Sequence, residues 1–152
     1  MTEFELMLST YRGSVYPWHC DQMGHMNVMW YVGKFDEASW QLFAMIGLTT
    51  AHLQREGRIM GAVDQQISYL RELFAGDVIE IRSEILEMRP KAIRFRHQMR
   101  NAHSGEPVAT TVLTAVHIDR EVRRSCPFPE EICERARTLM HSDQRSAVSP
   151  QL

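Results

Sequence analysis

No stretch of the 152 residues approaches the roughly twenty consecutive apolar positions that cross a bilayer, and the opening MTEFELMLST carries Glu3 and Glu5 where a secretory leader would be basic. Those two absences point to a cytoplasmic protein with no membrane partner. Cysteine is scarce as well. Cys20, Cys126 and Cys133 are odd in number and show no C-x-x-C spacing, which argues against a disulfide framework or a structural zinc site and for reduced thiols. Neither sign of charge is in large excess: a net charge of −2 and a pI near 6.4 give no electrostatic footprint for nucleic acid or an anionic membrane surface. Repeats and linkers are missing too. With 44% hydrophobic residues the chain can bury one core, so a single domain is expected over 1–152, its core at about 9–132 and a polar, loose tail at 142–152.

What the chain does contain is concentrated in Trp18-His-Cys-Asp21-Gln-Met-Gly24-His25-Met-Asn27-Val28-Met-Trp-Tyr31. From Val28 the apolar positions Tyr31, Val32, Phe35, Leu42 and Ile46 follow three- and four-residue spacing, with Lys34, Glu37 and Gln41 off that stripe. This predicts a helix from Val28 to Ile46, with Asn27 as N-cap and Gly47 as its stop. The free N–H groups of its first turn would face Asp21 and suit an anion or a developing oxyanion. On residue types alone, an aspartate placed before a helix is more often a cap or turn former. His19, Cys20, Asp21 and His25 fit no strong metal-ligand spacing. Cys20 could be imagined as a nucleophile, but strand alternation would turn it and Asp21 to opposite faces.

Strands are expected at Thr10–Tyr16, Arg58–Tyr69, Val78–Met88, Ala92–Arg100 and Val108–Ile118, and a short helix at Glu130–His141. Ile79, Ile81 and Ile85 share one face, and Ile93, Phe95, His97 and Met99 alternate with Arg94, Arg96, Gln98 and Arg100. The strand at Val108–Ile118 is apolar on both sides and should be interior. An α+β fold, an antiparallel sheet wrapped around one long central helix, buries both stripes at once, although pattern alone admits other α+β folds.

A strand followed by D-x-x-G-H-x-N-x-x-x-Y and a helix resembles the 4-hydroxybenzoyl-CoA thioesterase type of hotdog-fold acyl-CoA thioesterase. The likeness extends through VDQQISYLRELFAGD (Val63 to Asp77) and Glu106 to Pro129. It implies a hotdog fold and hydrolysis of an acyl-CoA thioester to free acid and CoA, with no metal or organic cofactor. By the same resemblance Asp21 is the nucleophile or general base, and the Val28 N–H polarises the thioester carbonyl. Gly24 shapes the turn, His25 orients Asp21, and Asn27 and Tyr31 border the substrate. One branch of such enzymes uses a carboxylate on the helix, which makes Glu37 a lesser candidate. Arg89 and Lys91, chosen from the basic group that includes Arg94 and Arg96, are candidates for the CoA phosphates. Asp64 or Gln66 could hold the lytic water. Trp30, Trp40, Phe43 and several of the ten methionines suggest an apolar acyl site. A lone curved sheet leaves strand edges uncovered, so a homodimer or homotetramer is expected. Two other readings stay open: a non-catalytic acyl-CoA binding module, and a hotdog dehydratase or hydratase, whose G-D-x-N-P-x-H context this chain lacks.

Overall fold

The computed structural model describes the backbone of residues 1–147 and the side chains of residues 1–140. In chain order the elements are α1 (Glu3–Leu6), β1 (Leu8–Ser14), α2 (Val28–Met45), α3 (Thr50–Glu56), β2 (Arg58–Tyr69), β3 (Val78–Met88), β4 (Ala92–Asn101), β5 (Pro107–Asp119) and α4 (Glu130–Ala147). The five strands form one antiparallel sheet in the order β1-β3-β4-β5-β2. Its concave face wraps α2, which is the hotdog arrangement.

Each sheet stripe buries as its period predicts: Ile79, Ile81, Ile93, Phe95 and Met99 are all buried. β5 is interior, paired to β4 on one side and β2 on the other. Two apolar clusters fill the concavity. One packs Met26, Tyr31, Phe35 and Ala38 of the loop and α2 against Ile79, Ile81 and Met99; the other packs Leu42, Phe43 and Ile46 against Ile85, Phe95 and Leu113, and is closed by Ile132 and Ala136 of α4. The site lies at the first of these ends.

Helix α2 starts and stops as its sequence requires. The Asn27 side chain accepts from the Met29 N–H, and Gly47 at φ 92° lets the Leu48 and Gly47 N–H groups bond back to the Phe43 and Ala44 carbonyls. Two stripe assignments change. Val32 is 41% exposed, whereas Lys34, read as off the stripe, is only 3% exposed. The lysine stem buries along the core while its Nζ donates to Tyr11 Oη at 3.2 Å and the Ser14 carbonyl at 3.4 Å. Helix α4 also runs on to Ala147, past the end expected at His141, so 142–147 is helical rather than loose; 148–152 fall outside the described residues.

Beneath α2 the core holds a polar chain. Ser39 Oγ donates to the Phe35 carbonyl at 3.0 Å and lies 2.8 Å from His97 Nε2; His97 Nδ1 lies 2.5 Å from Ser83 Oγ, which shares a hydrogen bond with Thr10 Oγ1 at 2.7 Å, and Thr10 Oγ1 donates to the Ile81 carbonyl at 3.2 Å. Burial of the imidazole pushes its pKa down to about 3, so it is neutral at neutral pH. A histidine depressed in the folded state stabilises the fold above its unfolded pKa, and that contribution is lost as pH falls. We expect folding stability to decline by up to about 1.4 kcal/mol per pH unit from this residue as pH falls below about 6.5. NMR titration checks it: the His97 ring proton should not shift between pH 7 and pH 5, and an ordinary histidine titration there would refute the assignment.

Candidate active site

Cys20 pairs with Met26 across a tight loop, in which the Asp21 N–H donates to the His25 carbonyl at 3.1 Å and the Gly24 N–H to the Asp21 carbonyl at 3.0 Å. Gly24 closes the turn at φ 86°, a left-handed conformation that a side chain would resist, though nothing crowds its Cα. The loop is clamped to the rest of the fold by the Met26 N–H, which donates to the Leu73 carbonyl at 2.7 Å.

Asp21 projects from this loop with both carboxylate oxygens occupied. Oδ1 accepts from the Met23 N–H at 2.8 Å, and Oδ2 from Asn27 Nδ2 at 2.8 Å. These donors, Asn27 first, hold the carboxyl below its ordinary range. It is therefore an anion at neutral pH. The other end of the Asn27 amide caps α2, its Oδ1 accepting from the Met29 N–H at 2.9 Å. A single side chain thus fixes the carboxylate relative to the helix mouth. At that mouth the Val28 N–H has no acceptor among the described residues. Val28 lines a cavity of about 220 Å³ with His25, Met26, Tyr31, Tyr69 and Glu72. Tyr31 is buried there, its hydroxyl donating to the Arg71 carbonyl at 3.3 Å, and burial pushes its phenol up to about 12.

Asp21, Gly24, His25, Asn27, Val28 and Tyr31 are thus brought together at one end of the sheet. The arrangement differs from expectation in how Asp21 is oriented. The His25 ring lies against the Met26 carbonyl (Nδ1 at 3.4 Å) and Glu72 (Nε2 at 3.7 Å), and Asn27 rather than His25 bonds the carboxylate. Arg89 and Lys91 are not brought to this site. They occupy the β3–β4 turn, whereas the other end of β3 pairs with Ser14 beside the loop, about 33 Å away along the strand. Arg89 is engaged there with Glu87 at 3.0 Å. Arg96 pairs with Glu3 and Glu84.

The remaining candidates also disperse. Glu37 lines a separate cavity of about 470 Å³ with Tyr11, Trp18, Trp30 and Lys34. The His19 ring turns towards Trp30, with its Nδ1 accepting from the Tyr16 N–H at 3.0 Å, away from Asp21. Cys20 packs against the core beside Met26. Asp64 and Gln66 are exposed on β2 and line neither cavity. Trp40 is partly exposed and Phe43 belongs to the core, so of the apolar acyl-site candidates only Met26 borders the Val28 cavity. Among the described residues no three His, Cys, Asp or Glu side chains are placed to share a metal ion. The sequence reading passed over Glu72 and the buried Lys34, because a charged residue outside a motif gives no periodic signal.

A five-stranded antiparallel sheet closed over a long helix is the hotdog fold, here with an ionised carboxylate held by the helix cap. Residues 15–136 match the Thioesterase-like superfamily, and the chain belongs to it. A betainyl-CoA thioesterase of Pseudomonas aeruginosa is 27% identical over 142 residues, covering 93% of this chain and 89% of that protein. Among solved structures, a protein of Staphylococcus aureus in complex with CoA superposes with a TM-score of 0.84 at 18% identity, covering 96% of this chain and 89% of the other. A 1,4-dihydroxy-2-naphthoyl-CoA thioesterase from Synechocystis gives a TM-score of 0.75 at 16% identity, covering 83% and 93%.

Proposed function

We propose that this chain hydrolyses an acyl-CoA thioester to a free carboxylic acid and CoA. The observation that supports the reading is the Asp21–Asn27 hydrogen bond, which ties an ionised carboxylate to the residue that caps α2. The thioester carbonyl sits at the start of α2 and its oxygen accepts from the Val28 N–H, a bond that strengthens as charge builds on the oxygen. Asp21 either attacks the carbonyl carbon to give a mixed anhydride with loss of the CoA thiolate, or takes a proton from the attacking water. Gly24 and His25 shape the loop, and Tyr31 walls the acyl site. The curated relative acts on betainyl-CoA, which puts small cationic acyl groups first among the substrates to try.

The test is thiol release from short, long, aromatic and cationic acyl-CoA esters, with hydrolysis of at least one expected. No release from any of them would overturn the reading and favour a binding module.

We further propose that two copies pair through β2 and work in the cytoplasm. β2 is a twelve-residue edge strand, bonded to β5 on one side only, and Val63, Tyr69, Leu70 and Phe74 stand exposed on it and just beyond it. Sedimentation equilibrium at micromolar concentration should give a dimer or tetramer mass; a clean monomer would refute the pairing. Arg89 and Lys91 can meet CoA at this site only from another copy in such an assembly.

A further inference from the structure

We propose that the Val28 cavity selects an acyl group bearing a fixed positive charge close to its carbonyl, and that Glu72, Tyr31 and Tyr69 are the residues that read that charge. The proposal rests on the thioesterase reading and goes beyond it by assigning the residues that set acyl specificity.

A quaternary ammonium has no N–H to donate. It is recognised through the negative faces of aromatic rings and through carboxylates, in a space that excludes water. The cavity supplies both kinds of group. Tyr31 and Tyr69 meet edge to face, ring centroids 5.2 Å apart and planes at 89°, so they present differently oriented surfaces to one volume. Tyr31 is held in place by its bond to the Arg71 carbonyl. Glu72 lines the same cavity, with His25 Nε2 3.7 Å from its carboxylate. Arg71, the other charged lining residue, faces Glu106 at 3.6 Å, which offsets its charge. Glu72 and Tyr69 both add to the field that, with burial, keeps the Tyr31 phenol protonated.

The dimensions agree. Val28 and Tyr31 stand one helical turn apart on α2, about 5–6 Å between side chains. An ester whose carbonyl oxygen accepts from the Val28 N–H therefore places its acyl group in the cavity that Tyr31 lines. At about 220 Å³ the cavity has room for a trimethylammonium group.

The experiment compares kcat/KM for trimethylglycyl-CoA and tert-butylacetyl-CoA, which share a shape and differ in charge. The wild type should favour the cationic ester by about tenfold or more. Glu72→Gln and Tyr69→Leu should each shrink that ratio several-fold, while Tyr69→Phe, which keeps the ring, should retain it. Equal rates on the two esters in the wild type would overturn the proposal. So would equal losses on both esters in Glu72→Gln, since Glu72 would then act through His25. Hydrolysis of neither ester, nor of any other acyl-CoA, would instead bring down the thioesterase reading and this proposal with it.

Discussion

Asp21→Asn is expected to lower kcat for thiol release by about a thousandfold while leaving the fold intact. Asparagine keeps the size of the side chain but can neither attack a carbonyl nor accept a proton at neutral pH. Its local cost is small and calculable in kind. Asp21 receives one donor on each oxygen, from Met23 and Asn27, and the asparagine amide can satisfy only one of them because its NH2 would face the other. The loop is solvated at this point, so the expected loss of stability is small. Circular dichroism and a thermal melt should therefore match the wild type closely. Residual activity within a few fold of wild type would remove Asp21 from the chemistry. Single turnover in oxygen-18 water tests the covalent route: label in Asp21 after reaction marks an anhydride, and its absence counts against one.

Asn27→Asp should produce the second-largest effect, for an electrostatic reason. An aspartate at this position still caps α2, because its carboxylate oxygen accepts from the Met29 N–H and the charge suits the helix N-terminus. It loses the Nδ2 donor, however, and sets a second carboxylate against Asp21. Like charges at hydrogen-bonding distance cannot both ionise easily, so the pair titrates with one pKa raised. In the wild type Asn27 is the largest influence holding Asp21 below the ordinary carboxylate range, which keeps the base ionised down to acidic pH. The variant reverses that sign. Its activity should fall about ten- to a hundredfold at the acidic end, with the rising limb of the kcat/KM profile moved to higher pH and activity recovering as pH increases. Thermal stability should fall at neutral pH, where both carboxylates are ionised, and recover as pH is lowered. An unchanged pH profile would show that the Asp21–Asn27 bond has no part in catalysis.

Much of this site was legible before the fold was. Asn27 announced itself as a cap by its place before an apolar stripe, and Gly47 as a stop, and both act so. The alternation in β3 and β4 located the buried face because residues of a strand have only two directions to point. What escaped the sequence reading depended on contacts between distant segments. That Asn27 rather than His25 grips the carboxylate depends on how a seven-residue loop folds back on itself. Lys34 looked like a surface residue until β1 supplied Tyr11 and the Ser14 carbonyl to its amine. Helix α3 was missed despite fair local signals, Thr49 capping its start and Gly57 ending it in a left-handed conformation. Seven residues give too little periodicity to stand out. Tyr69 and Glu72 join Val28 in one cavity only because β2 ends beside the start of α2, a juxtaposition no single window of sequence contains.

Because the same amide that seats Asp21 also ties off the first turn of α2, the carboxylate keeps its place only while that turn is wound. Helix ends are where thermal fraying begins, at far lower cost than opening the sheet beneath. On warming, the reactive end should therefore loosen while the strands stay paired, and catalytic inactivation should run several degrees ahead of the melting of the fold. The chain's useful temperature range is set by a few residues at the mouth of one helix, and a stiffer core would do little to extend it.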